Sequence, residues 1–597
     1  MSKELKKRSE IEEIYKWDME KVYPSIDAWE KDFESLKSES EEIKKFKGTL
    51  NNEENILGYL KLNEKLSRKL EKLYVYATMK SHEDTTNSDF QAISSKIESF
   101  MAVFGSYNSY FEPEILALEE DKLIGFINNN EELKIYDFLF RSLLKSKNHV
   151  LSDEMEALLA SASDCLNASE NIYEMLTNAD MRFTKIKDEN GVEVDLTEGN
   201  YGNFIRSKNR DVRKDAFKGL FNEYKKYENT LGTSLVSSIK TFIFNSKTRN
   251  YKNSLDASLS PNNIPLEVYY NAIETIGKNL NSLHRYVGIK KKLLKLDELH
   301  MYDLYVPVVE NTSEEIEYDE AVTIVEGGLA PLGEDYIAIF KEGIKNRWVD
   351  VYENKGKRTG AYSWGSYDTM PYVLLNYNHS LNDVSTLAHE MGHSIHSYYS
   401  RENQPYVYGN YTLFSAEIAS TTNEILLINK LIKDENDKDK KLYLINQELE
   451  QIRTTVFRQL MFAEFELITH EKIEAGEALT AKDLNSLWLE LNKKYFGEDI
   501  VIDEEIAIEW ARIPHFYSDF YVYQYATGYA AASAFSKAIL TGNKENVEKY
   551  KGFLKAGGSK YPIDAIKDGG VDMTTPKPLE ATIERFNELL DMLEELI

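Results

Sequence analysis

Leucine, isoleucine and aromatic residues recur at three- and four-residue spacing among Lys and Glu through most of the first 260 residues, the pattern of stacked amphipathic helices. Only Pro24 and Pro113 of the 12 prolines interrupt that stretch. The period shortens to two across Met181–Thr197, where alternating residues flank Asn190-Gly191; this predicts a β-hairpin and a lobe boundary near it, with residues 1–200 as an N-terminal helical lobe and 201–597 as a second domain. Helices are expected to resume at Arg210 and to run to about Leu296. From Arg358 the character changes again. Gly360-Ala361-Tyr362-Ser363-Trp364-Gly365 reads as a glycine-bearing loop, and Pro371–Tyr377 as a strand leading into another helix.

In that last helix Val384, Leu387, Ala388, Met391 and Ile395 fall within roughly 60° of one direction at about 100° per residue, with Asn382 or Asp383 as the expected N-cap. His389 and His393 point nearly opposite. One face can pack while the other ligates. The pair belongs to His389-Glu390-Met391-Gly392-His393, an H-E-x-x-H in which both imidazoles reach one metal and the glutamate takes a proton from metal-bound water.

Catalytic zinc commonly takes three protein ligands. The single cysteine, Cys165, supplies no thiolate cluster, so the metal must be held by histidine and carboxylate. His396 shares the face of His389 and competes for the third position, although three ligands from one straight helix crowd toward a line. Glu417 in the next helical stretch is the preferred third ligand, with Glu424, on the same face, orienting a histidine. A further cluster, Arg512-Ile513-Pro514-His515-Phe516-Tyr517 followed by Tyr521, Tyr525 and Tyr529, offers donors for a developing oxyanion; it reads equally well as an amphipathic aromatic core.

Composition narrows the partners. A chain of 597 residues exceeds the usual size of one domain, and a net charge of −28 argues against nucleic acid. No apolar run is long enough to span a bilayer, and the N-terminal residues lack the apolar core of a secretory signal, so a cytoplasmic protein without membrane attachment is expected. Nothing in the sequence sets the oligomeric state.

Taken together the motifs resemble the oligoendopeptidase F family, within the thimet-oligopeptidase-like zinc metallopeptidases. The resemblance spans nearly the whole chain: Trp17-Asp18-Met19-Glu20-Lys21-Val22-Tyr23-Pro24, Gly360–Asp368, Leu381–His393, Ala416-Glu417-Ile418-Ala419-Ser420, Arg512–Tyr517 and Gly557-Gly558-Ser559. It implies a mostly α, two-lobed helical ellipsoid enclosing a deep substrate channel, with a zincin-type core and a small β-sheet beside the H-E-x-x-H helix. It implies one catalytic Zn2+ on His389, His393 and Glu417, Glu390 as general base, and His515 with a tyrosine among Tyr521, Tyr525 and Tyr529 at the oxyanion. The expected activity is hydrolysis of internal bonds in short unstructured peptides, with the strand Pro371–Tyr377 pairing with the substrate. A zinc exopeptidase anchoring a free carboxylate on Arg358, Arg512 or a lysine is the alternative, and a non-catalytic peptide-binding scaffold a more distant one.

Overall fold

A computed structural model describes residues 5–308 and 315–597, and it is mostly helical with three small sheets. The chain divides into two compact units, each assembled from three separate stretches. The first comprises residues 1–147, 313–430 and 535–571, the second residues 148–312, 431–534 and 572–597. The 200/201 division anticipated from the hairpin falls inside the second unit. Among the described residues no helix is long and apolar enough to cross a membrane.

In the first unit the Ile26–Ser40, Glu53–Glu83 and Ser88–Asn108 helices bury a continuous apolar core that includes Trp29, Phe33, Leu66, Leu73 and Ile97. Trp29 stacks flat on Phe33 at 5.2 Å. The N-terminal segment is tied to the sheet region by charge: the Arg8 guanidinium grips the Asp350 carboxylate with two contacts, of 3.2 and 2.6 Å, and Lys357 approaches the same buried group to 2.7 Å. Asp350 is 2% exposed, so these cations replace its lost hydration and hold its carboxyl below the usual range against the cost of burial.

The sheet beside the H-E-x-x-H helix has three strands, Val349–Asp350, Tyr362–Trp364 and Tyr372–Leu374. Tyr372–Leu374 is central, parallel to Val349–Asp350 and antiparallel to Tyr362–Trp364. Two expectations change here. The glycine-bearing segment contains a strand at 362–364, and the strand expected to receive substrate is already paired on both sides. Among the described residues the edge strand of the sheet on that side is Tyr362–Trp364.

The next helix runs Leu381–Asn403 and starts one to two residues before the expected cap. Ser380 is the N-cap: its hydroxyl accepts from the Asp383 N–H at 3.2 Å while Asp383 Oδ2 accepts the Ser380 N–H at 2.9 Å, a capping box that makes Asp383 an N3 residue. Val384, Leu387, Ala388, Met391 and Ile395 are fully buried, as their shared face requires.

The second unit packs the Arg210–Lys226, Glu228–Thr248, Arg458–Glu474 and Ala481–Phe496 helices with the C-terminal Lys577–Leu596. Its hairpin pairs Lys185–Lys187 with Glu193–Asp195, and Gly191 takes the left-handed φ of +77° that the turn demands.

Candidate metal centre

Two helices of the first unit build the centre. Leu381–Asn403 carries His389, Glu390 and His393, and Leu413–Asp434 carries Glu417 and Glu424. They cross at small residues. A Cβ added to Gly392 would stand 2.6 Å from Ser420 Cα, 2.8 Å from Ser420 N and 2.9 Å from Ala419 O, so only glycine permits this approach. The crossing is then tied by Asn423, whose Nδ2 donates to the Ala388 carbonyl at 3.0 Å and whose Oδ1 accepts the Tyr336 hydroxyl at 2.9 Å.

That approach brings three donor atoms together. His389 Nε2 lies 3.2 Å from His393 Nε2 and 3.4 Å from Glu417 Oε2, and His393 Nε2 lies 3.5 Å from the same oxygen. Charge-assisted hydrogen bonds are shorter, at about 2.7–2.9 Å. Donors around a tetrahedral ion with bonds of about 2.0–2.1 Å stand about 3.3–3.4 Å apart, so the set fits zinc better than it fits a hydrogen-bonded triad. Among the described residues this is the one group of three or more His, Cys, Asp or Glu that converges in this way.

The surrounding groups prepare the donors. Glu424 Oε2 lies 3.4 Å from His389 Nδ1 and Glu424 Oε1 accepts the Ser385 hydroxyl at 3.3 Å, an arrangement that keeps the proton on Nδ1 and leaves Nε2 as the ligand atom. Burial alone would lower the His389 pKa, but Glu424, Glu390 and Glu417 together raise it to about 9. Glu417 is pulled the other way: desolvation opposes its ionisation, yet the two histidines and the Ser420 hydroxyl, 3.1 Å from Oε2, bring it to about 2. Glu390 is 7% exposed, and burial raises its carboxyl above the usual range against the pull of His389 and His393. A raised pKa makes it a stronger base.

His396 does not join this group. Its ring is 1% exposed and stacks on Tyr411 at 3.7 Å and 3°, with Phe553 at 5.3 Å; burial lowers its pKa to about 3. His379 lies apart as well, beside Tyr352 and Tyr377.

His515, Tyr521, Tyr525 and Tyr529 belong to the second unit. Tyr525 Oη is 3.3 Å from His515 Nε2, and the Tyr521 ring lies parallel to His515 with centroids 6.1 Å apart. Tyr529 is buried, within electrostatic reach of Arg585. Arg512 is engaged by Glu198 through Nε at 3.1 Å and Nη2 at 2.9 Å. Gly392, Ser385 and Ser420 were not singled out from sequence; the small-residue run Ala416, Ala419, Ser420 facing a glycine inside H-E-x-x-H is the signal that marks them.

Likeness to known proteins extends over the whole chain. The profile of peptidase family M3 matches residues 203–585, and that of oligopeptidase F matches residues 114–183. Oligopeptidase PepF of Bacillus subtilis is 49% identical over 595 residues, covering 100% of this chain and 89% of that protein. Group B oligopeptidase PepB of Streptococcus agalactiae is 42% identical, covering 99% and 98%. The crystal structure of oligoendopeptidase-F from Enterococcus faecium superposes with a TM-score of 0.74 at 38% identity, covering 95% of this chain and 98% of that one. The helical fold and these matches define a peptidase. The chain belongs to peptidase family M3, whose members act on peptides.

Proposed function

We propose that the protein is a zinc-dependent oligoendopeptidase that hydrolyses internal bonds of short unstructured peptides. The convergence of His389 Nε2, His393 Nε2 and Glu417 Oε2 at 3.2–3.5 Å, beside a buried glutamate of raised pKa, carries this reading. His389, His393 and Glu417 would hold the ion, which when bound supplies Lewis acidity at the scissile carbonyl and its attacking water. Glu424 fixes the ring of His389. Glu390 receives the proton of the water as it attacks and returns it to the departing amine.

The peptide main chain is assigned to the edge strand Tyr362–Trp364 in place of Pro371–Tyr377. That strand adjoins the metal helix, since Ser363 Oγ lies 2.7 Å from Ser394 Oγ, one residue beyond His393. Adding an extended segment to a sheet edge gives binding through main-chain hydrogen bonds, which tolerates varied side chains. His515 with Tyr521 or Tyr525 is assigned to the oxyanion, as the family resemblance implies.

The exopeptidase reading needs a cation free to bind a terminal carboxylate. Arg512 is held by the Glu198 carboxylate through two contacts, so one of its candidate anchors is occupied. An internally quenched peptide blocked at both ends decides between the readings, with products identified by mass spectrometry. Internal cleavage that stops with a chelator is expected. Cleavage confined to an unblocked counterpart would establish an exopeptidase, and none in either a scaffold.

A further inference from the structure

Beneath the His515 segment lies a buried acid and histidine cluster that the peptidase reading leaves unused. Phe520 adopts φ +58°, a left-handed conformation that strains a non-glycine residue of this bulk. Its N–H donates to Glu466 Oε1 at 2.7 Å. Glu466 sits on the Arg458–Glu474 helix, 2% exposed, and its second oxygen is buried with no hydrogen-bond partner. His470, one turn on and 1% exposed, donates Nδ1–H to the Glu466 carbonyl at 2.9 Å and places Nε2 3.0 Å from Asp519 Oδ1. A carbonyl only accepts, so Nδ1 carries a proton. The contact between Nε2 and the carboxyl then needs a second one, whichever partner holds it.

The backbone at 519 and 520 is therefore held from several sides. Phe520 packs its ring against His470 at 4.4 Å and Tyr269 at 5.6 Å, and the Asp519 carbonyl accepts the Ser258 hydroxyl at 3.2 Å. Two turns share Ser518: its N–H donates to the His515 carbonyl at 2.9 Å, and its carbonyl accepts the Tyr521 N–H at 3.0 Å. Fixing 519 and 520 thus fixes the directions in which His515 and Tyr521 leave the chain.

We infer that Glu466, His470 and Asp519 are positioning residues that hold His515 and Tyr521 in register for the reaction. This rests on the assignment of His515 and its tyrosines to the oxyanion. Stability alone does not account for the cluster. A strained phenylalanine and a buried carboxyl with an orphan oxygen are costs that persist where geometry matters.

The test measures kcat and KM on the blocked quenched peptide, zinc content and melting temperature for Asp519→Ala and Asp519→Asn, each alone and combined with His515→Ala. Asp519→Ala is expected to lower kcat about tenfold or more with KM within about twofold, at full zinc content. Asp519→Asn, which keeps a hydrogen-bonding group toward His470, retains most of the activity. Combined with His515→Ala, the Asp519→Ala change adds less than about twofold, because it acts through the residue already removed. Losses that multiply in the double variant, or wild-type kcat in Asp519→Ala, overturn the inference and leave the oxyanion assignment standing. Wild-type kcat in His515→Ala overturns both. If Asp519→Ala fails to fold, the smaller loss in Asp519→Asn is read in the two backgrounds in the same way.

Discussion

Gly392→Ala tests whether the metal centre depends on how closely two helices approach. The added methyl would meet backbone atoms of the Glu417 helix at 2.6, 2.8 and 2.9 Å. Ordinary contact between carbon atoms is about 3.5–4.0 Å, and main-chain atoms cannot rotate aside, so the helices must separate by about 1 Å. Overpacking of this kind costs about 1–3 kcal/mol, while alanine recovers up to about 1 kcal/mol of helix propensity over glycine. The net loss of stability is therefore modest. The loss at the metal is not, since coordination tolerates only about 0.2 Å and Glu417 rides on the displaced helix. Zinc affinity is expected to fall by at least about 100-fold, or about 2.7 kcal/mol. Competition with a chromophoric chelator measures it, beside a thermal melt. Gly327→Ala serves as control: that glycine lies within the Tyr318–Leu329 helix with nothing within 4 Å of an added Cβ, and its variant should match or slightly exceed wild-type stability. Zinc affinity within about threefold of wild type in Gly392→Ala would refute the argument from helix spacing.

Other consequences are separable. Glu390→Gln should keep stoichiometric zinc while turnover on the quenched peptide falls by about 10²–10⁴, the usual worth of a positioned acid–base group; wild-type turnover would remove Glu390 from the role of base. Glu417→Ala should lose zinc on dialysis, and full zinc retained by that variant would return the third position to another group. His396 is held neutral by burial, with its pKa lowered to about 3, whereas the unfolded chain titrates near 6.5. Its contribution is thus complete above about pH 6.5 and is lost as pH falls toward 3, with a slope of at most about 1.4 kcal/mol per pH unit. His396→Phe keeps the stack on Tyr411 and should flatten urea-unfolding stability between about pH 6 and pH 4 in chelator-treated protein; an unchanged slope would show that other groups carry the acid sensitivity.

Much of the centre was legible because helical periodicity places residues without any knowledge of the fold. Val384, Leu387, Ala388, Met391 and Ile395 had to share a buried face, which left His389 and His393 on the other; Glu417 followed from needing a ligand on a second element. The capping residue was misplaced because Asp383 suits both an N-cap and the third position of a capping box, and only the Ser380 hydrogen bonds separate the two. The strand at Tyr362–Trp364 escaped notice because three residues are too few to show alternation. The assembly of each unit from three separate stretches was also hidden. Contacts such as Arg8 with Asp350, or Trp17 Nε1 with Glu83 Oε1 at 2.7 Å, join residues far apart along the chain, and local patterning carries no record of them. The closeness of Gly392 to Ser420 belongs to the same kind: each residue is ordinary alone, and their meeting is a property of packing.

Crystals grown with zinc, measured on both sides of the zinc absorption edge, test the central claim most directly. The account predicts one strong anomalous peak in the chain, about 2.0–2.2 Å from His389 Nε2, His393 Nε2 and a Glu417 carboxylate oxygen. No peak at that point, or a peak coordinated by other residues, would contradict it.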